Sequence, residues 1–394
     1  MNNSPFEIFL RFLRLGLLAW GEPNAQISMI RREIVEKEQW ICQEQFGRIS
    51  AVYQALPGPP AHKLCVHLGT VAGGRWGGLL AGLGFMMPGF LLMLLLSWLY
   101  VTYGMSSALV ATAFYGMRPA VIALVVRGMQ RIVQYALHDL WLWGIALISF
   151  ALQLIGVHFV LILFATGIFY IVVRRYGLQT TATAGVLLLI AILTFHFGID
   201  RIAPTATVAT IPSHPQPQLV TVLGSGLRAG LLNFGGPFSA TPFLYHDAVN
   251  VGGWMTDSQF LDGMALGALL PASWILFGSF VGYQAGGFAE AILLTLGIFV
   301  PAFAVSLVSY DLIERLVSIP WLHSFFDGLT AGVVGLVMAT ALFLLPKAIS
   351  DLPTALIFII TLLILMRWQS KANAPVAMLA GAVMGWLSHV VGLA

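Results

Sequence analysis

The stretch RLGLLAWGEP at residues 14–23 returns as RAGLLNFGGP at residues 228–237. Arginine, glycine, a Leu-Leu pair, an aromatic ring, glycine and proline keep their order at an offset of 214 residues. The same offset pairs Trp40 with Trp254, Phe46 with Phe260, Ala51 with Ala265 and Leu56-Pro57 with Leu270-Pro271. One residue is then lost, and Gly69, Ala72-Gly73-Gly74, Gly84, Pro88 and Phe90 meet Gly282, Ala285-Gly286-Gly287, Gly297, Pro301 and Phe303. After a second loss, Phe114, Gly116 and Val121 meet Phe326, Gly328 and Val333. An apolar bias would match leucine with leucine. It would not hold tryptophan, glycine and proline in register over so long a stretch, so the chain is an internal duplication.

Composition says where such a chain lives. Of 394 residues, 59% are hydrophobic and 9% charged, with a mean hydropathy of +0.89; a soluble domain is about 45–50% apolar and about 25% charged. Water cannot solvate a folded surface with so few charges, which leaves a polytopic membrane protein. Nineteen Lys+Arg against 16 Asp+Glu give +3 with no dense basic stripe, which argues against nucleic acid as a partner. Two cysteines, Cys42 and Cys65, cannot staple a fold this size. The N-terminal MNNSPFEIFLRFLRLG carries Arg11 and Arg14 in its apolar run and lacks a small-residue cleavage site. It is read as part of the mature chain rather than as a secretory signal.

Apolar runs near spanning length lie at 76–101, 106–126, 140–156, 158–173, 183–198, 287–309, 326–346, 351–367 and 374–392. Segments 6–23, 49–74, 219–237 and 262–284 are apolar but interrupted by glycine or proline, which suits broken or re-entrant helices. The expectation is an all-α membrane protein with about nine full spans and about four broken or re-entrant segments. Its organisation reads as an N-terminal repeat at 1–198, an extended proline-rich linker at 199–218 and a C-terminal repeat at 219–394. The loop at 24–50 holds Arg31, Arg32, Lys37 and Arg48, while its counterpart at 238–264 holds Asp247, Asp257 and Asp262 and no Lys or Arg. The positive-inside rule puts the first loop in the cytoplasm and the second outside, so the repeats are expected in inverted topology. Arg127, Arg131, Arg174, Arg175, Arg367 and Lys371 then mark the cytoplasmic side, with segment 183–198 as the odd span that flips the second half and Lys347 as the misfit.

The breaks are where chemistry is expected. Half one breaks at Trp20-Gly21-Glu22-Pro23 and Leu56-Pro57-Gly58-Pro59-Pro60, half two at Phe234-Gly235-Gly236-Pro237 and Leu270-Pro271-Ala272-Ser273. Proline suits the first turn of a helix, and a helix restarting there points unpaired N–H groups and a positive dipole end at what precedes it. An anion is a natural partner; plain kinks between packed helices are the alternative. Gly21, Pro23, Pro57, Gly58, Pro59, Gly235, Gly236, Pro237 and Pro271 would shape such a site, with Gln54, His62, Asn233 and Ser273 donating to oxygens. Lys63 and Arg118 lie in apolar sequence, where a cation costs about 2.5–3.5 kcal/mol at mid-membrane, so they serve an anion or snorkel to the headgroups. Glu22 either titrates and couples transport to protons, pairs with Lys63, or lies at the cytoplasmic edge against Arg31 or Arg32. Nine scattered histidines, with His62 and His67 five apart, make no metal set. With no Walker motif and no nucleophile elbow, neither a cofactor nor an enzyme is expected.

The paired elements, R-x-G-x-x-x-F-G-G-P-like followed by a W…F loop and L-P-G-P, resemble the chromate ion transporter (CHR) family in its long-chain, two-domain form. The likeness covers nearly the whole chain. It implies a polar or basic residue shortly after the P-G-P element, where this chain has Lys63, and a basic residue before Pro-Ala-Val, as in Arg118-Pro119-Ala120-Val121. Trp20, Glu22 and the Leu-Pro-Ala-Ser element depart from the family pattern. What the resemblance implies is a secondary active transporter in the cell (inner or plasma) membrane, exporting chromate by alternating access and so giving chromate resistance. The alternatives are a transporter or exchanger of sulfate or another oxyanion, and a passive anion channel. The expected partners are the oxyanion and the lipid bilayer, with a homodimer left open.

Overall fold

The computed structural model describes residues 4–103, 107–176, 178–202, 218–234, 236, 238–271, 273–308, 315, 319–368, 370 and 372–392. Among them the chain is helical and contains no strand. Half one runs through α1 (Pro5–Leu17), α2 (Pro23–Ile30), α3 (Gln43–Ala55), α4 (Pro60–Tyr103), α5 (Ala108–Ala136), α6 (Leu140–Leu154) and α7 (Phe159–Arg175). An additional helix, α8 (Leu178–Ile202), follows. Half two comprises α9 (Leu219–Leu231), α10 (Thr241–Tyr245), α11 (Asp257–Ala268), α12 (Phe277–Gly286), α13 (Phe288–Leu307), α14 (Pro320–Ala348), α15 (Leu352–Arg367) and α16 (Asn373–Val390).

The duplication is legible in the element bounds. Both ends of α1 map onto α9 at the 214-residue offset, and both ends of α5 map onto α14 at 212. Helices α2 and α10 each widen into a π-helical turn at equivalent places, Arg31–Lys37 and His246–Val251. Gly73-Gly74 kinks α4 where Gly286-Gly287 divides α12 from α13. The correspondence continues beyond the last sequence match. Asp139 caps α6 by accepting from the Leu142 N–H at 2.8 Å, and Asp351, 212 residues on, caps α15 by accepting from the Thr354 N–H at 2.9 Å. An N-cap oxygen answers a donor that the helix itself cannot satisfy.

The two halves are interlocked. The long α5 packs on α15 and α16 of the other half, and α14 packs on α6 and α7, while α5 and α14 also meet each other. Glycines permit the close approach. A Cβ at Gly116 of α5 would stand 2.0 Å from the Gly381 carbonyl oxygen of α16, and one at Gly328 of α14 would stand 2.4 Å from that of Thr166 in α7. Gly116 and Gly328 are repeat partners, so one contact is the pseudo-symmetric image of the other. The largest core cluster crosses the halves through Phe114, Val121, Leu163, Phe260, Phe280, Ile298 and Leu336, as does a smaller one that joins Ile132, Leu142 and Tyr170 to Ala331 and Val334. A further cluster, with Ile8, Phe12, Ile30, Tyr53 and Leu64, lies within α1–α4 and the segments that connect them.

Apolar side chains such as Trp76, Leu140 and Leu187 lie exposed on the outside, as a lipid-facing surface requires. Four helices, α4, α5, α13 and α14, are long and apolar enough to cross a membrane. Others expected as spans are shorter: α6, α7, α15 and α16 have 15, 17, 16 and 18 residues. At about 1.5 Å per residue they fall short of a hydrocarbon core of about 30 Å. Helix α8 takes the first four residues of the expected linker, and residues 203–217 of that linker lie outside the described residues.

Candidate functional site

The two breaks expected in half one are present, and each is closed by its own hydrogen bonds. Helix α1 stops at Leu17 and α2 restarts with Pro23 as its first residue. The buried Gln26 amide donates back to the Ala19 and Gly21 carbonyls, each at 3.2 Å. Helix α3 ends at Ala55, and Pro60, rather than Pro59, begins α4. Between them Gly58 takes φ +92°, a left-handed conformation suited to glycine, and donates its N–H to the Asn233 carbonyl at 3.0 Å. That bond ties a break in half one to a break in half two.

Lys63 closes the same break from below. Its ammonium is fully buried and donates to the Leu56 carbonyl at 2.6 Å and the Pro57 carbonyl at 3.0 Å. The last carbonyls of a helix have no partner within it, so the lysine ends α3 much as a cap would. Here the structure departs from the expectation of a counter-charge for an anion: Lys63 does not line the cavity. Nor does Arg118. Its guanidinium grips the wholly buried Asp262 of α11 with bonds of 2.8 and 3.0 Å, and the Tyr100 hydroxyl donates to the same carboxylate at 2.8 Å. His62 is buried with its ring edge-on to Phe299 and Phe303.

A cavity of about 1010 Å³ opens where the two halves' breaks converge. Of the sequence candidates, Glu22, Pro23, Gln54, Gly58, Pro59, Asn233, Gly236 and Ser273 line it. Gly21 borders a small neighbouring cavity together with Glu22, Pro23 and Ser273. Pro57 and the buried Pro271 do not line it, and Gly235 and Pro237 lie outside the described residues. The helix ends are unequal. In half one, α2 and α4 bring Pro23, Asn24, Pro59 and Pro60 to the cavity. Half two brings Ile275 of the three-residue turn Trp274–Leu276 and Asn373, the first residue of α16, while the five-residue α10 does not line the cavity. Helix ends supply only partial charges; the full charges at the cavity come from side chains.

Further ionisable side chains line the cavity that the sequence reading did not place there. Arg127, Arg131 and His138 enter from α5 and its C-terminal end, and His323 and Asp327 from α14. The two arginines, read from sequence as cytoplasmic markers, sit within α5 on its cavity face. Glu22 pairs with Arg131, not with Lys63, Arg31 or Arg32; Arg31 pairs with Glu36, and Arg32 lies beside Glu33. His323 lies 3.8 Å from Asp327. Arg127 is different. Only 9% exposed, it donates from Nη1 to Gln130 Oε1 at 2.8 Å, and its Nε has no acceptor. No carboxylate pairs with it among the described residues. The available sequence signal was spacing: residues 127, 131 and 135 recur on one helical face of α5. Among the described residues no group of three or more His, Cys, Asp or Glu could hold a metal ion.

Comparison with known proteins returns the same duplication. The model of the family described as "Chromate transporter" matches the chain twice, at residues 6–171 and 220–386. A chromate transport protein of Pseudomonas aeruginosa is 46% identical over 389 residues, covering 97% of this chain and 92% of that protein. One from Cupriavidus metallidurans is 27% identical, covering 97% and 93%. A probable chromate transport protein of Synechococcus elongatus is also 27% identical, covering 95% and 93%. No solved structure matches the chain.

Proposed function

Since the chain belongs to the chromate transporter family, we propose that it is a secondary active transporter that exports chromate across the cell's inner or plasma membrane. Export of this kind would give chromate resistance. One observation carries the reading: the cavity of about 1010 Å³ is built from breaks of both repeats and lined by arginine. Secondary transporters place their substrate sites at the repeat interface, among broken helices. Alternating access would then be a rocking of the two halves, in inverted topology, about the Gly58–Asn233 bond and its surroundings. The cavity mouth would face the cytoplasm, because Asp327, which lines it, lies near Arg174 at the cationic end of α7.

The test is uptake of radiolabelled chromate and sulfate into inverted vesicles, with and without a proton gradient. Saturable, gradient-dependent chromate uptake is the expected result. Electrogenic flux without saturation would point to a channel instead, and a strong preference for sulfate would reassign the substrate.

A further inference from the structure

The cavity contains two arginines in opposite electrostatic situations, one turn apart on α5. Arg131 is already held by a carboxylate, Glu22. Arg127 lies deeper, with an unsatisfied Nε and only the neutral Gln130 amide as its partner. A buried guanidinium left short of acceptors is expensive in free energy, and the cavity beside it is large enough to admit what it lacks. Neither arginine has a charged repeat partner: Ala339 and Phe343 occupy the equivalent places in α14. The charge therefore belongs to one half only and marks a single place.

Resting on the transport reading above, we propose that Arg127 and Arg131 are the two-cation seat for a tetrahedral dianion, and that Glu22 is its resident stand-in. In the empty carrier Glu22 neutralises Arg131. An incoming dianion docks first on Arg127, the cation without a partner, and then displaces the Glu22 carboxylate from Arg131. Forked N–H donors on a helix face, about one turn apart, can bridge the oxygens of one tetrahedral ion. A monoanion satisfies Arg127 alone and gains little by competing with Glu22. The seat thus selects by charge, without a metal.

The test is equilibrium binding of radiolabelled chromate and sulfate to the purified full-length chain in nanodiscs, with thermal unfolding measured alongside. Arg127→Gln is expected to weaken chromate binding by at least about tenfold. Glu22→Gln is expected to tighten it by about threefold, the worth of a partly exposed ion pair. That gain should vanish when Arg131→Gln is already present, because the displaced pair no longer exists. Gln130→Glu gives a folding-independent check: it supplies Arg127 with a local carboxylate and should also weaken binding. Unchanged affinity in both Arg127→Gln and Gln130→Glu overturns the seat. So does a Glu22→Gln gain that survives in the Arg131→Gln background, since general repulsion would then account for it. A folded wild-type chain that binds neither dianion overturns the transport reading and the seat together, whereas intact wild-type binding with indifferent variants overturns the seat alone.

Discussion

Asp262 has no exposed surface, and three bonds from two other helices hold its carboxylate. Removing one member of such a buried pair strands the other, which typically costs about 3–5 kcal/mol. Asp262→Ala should therefore lower the unfolding temperature sharply in detergent. The double change Arg118→Met with Asp262→Leu should recover most of the loss; failure of that rescue would mean that the charge itself, and not only its pairing, is needed. Lys63 makes a contrasting case. Lys63→Met would leave the Leu56 and Pro57 carbonyls without a donor, at about 1–3 kcal/mol for a buried unsatisfied group. Its expected signature is a lower unfolding temperature with chromate affinity unchanged in the protein that remains folded. A selective loss of affinity would restore Lys63 to the substrate. Sequence could place both cations in apolar surroundings but could not say what they face. The partner of Lys63 is made by the break folding back on itself, and that of Arg118 lies 144 residues away.

At the scale of elements, the repeat was readable because glycine, proline and tryptophan are hard to substitute where helices break or touch. Those residues therefore kept their register while the aliphatic ones drifted. The correspondence of α6 with α15 is not readable from sequence, because its signal is one aspartate cap, Asp139 or Asp351, in otherwise featureless apolar sequence. The exchange of packing partners was not readable at all, since an apolar helix face looks the same whichever half covers it. Nor was the cavity role of Arg127 and Arg131, because a cation near the end of an apolar run reads first as an orientation signal. The exchange yields a prediction. Gly116→Val and Gly328→Val place carbon atoms against the backbone of α16 and α7 respectively. Overpacking of this kind costs about 1–3 kcal/mol, and pseudo-symmetry makes the two losses comparable. Size-exclusion profiles and unfolding temperatures of the two variants should fall together. A large difference between them would show that one interface yields where the other does not.

For the whole molecule, the decisive question is which side the cavity opens to. Gln134 is exposed and lines it. With the exposed Cys42 replaced by serine, a Gln134→Cys chain should react with a membrane-impermeant maleimide in inverted vesicles and be slow to react in right-side-out ones. Saturating chromate should slow labelling from the open side. The reverse pattern would invert the orientation read from the cationic loops. The interlocked packing also bears on how the protein is made. Helix α5 leaves the ribosome long before α15 and α16, the helices that cover its Gly116 face. The first repeat must therefore wait in the bilayer with that seam bare, shielded by lipid or by the insertion machinery, until those two helices are made. Synthesis stalled in the second repeat would leave a marked substrate for membrane quality control. Conversely, the two repeats expressed as separate polypeptides in one cell should find each other and assemble by mutual clasping.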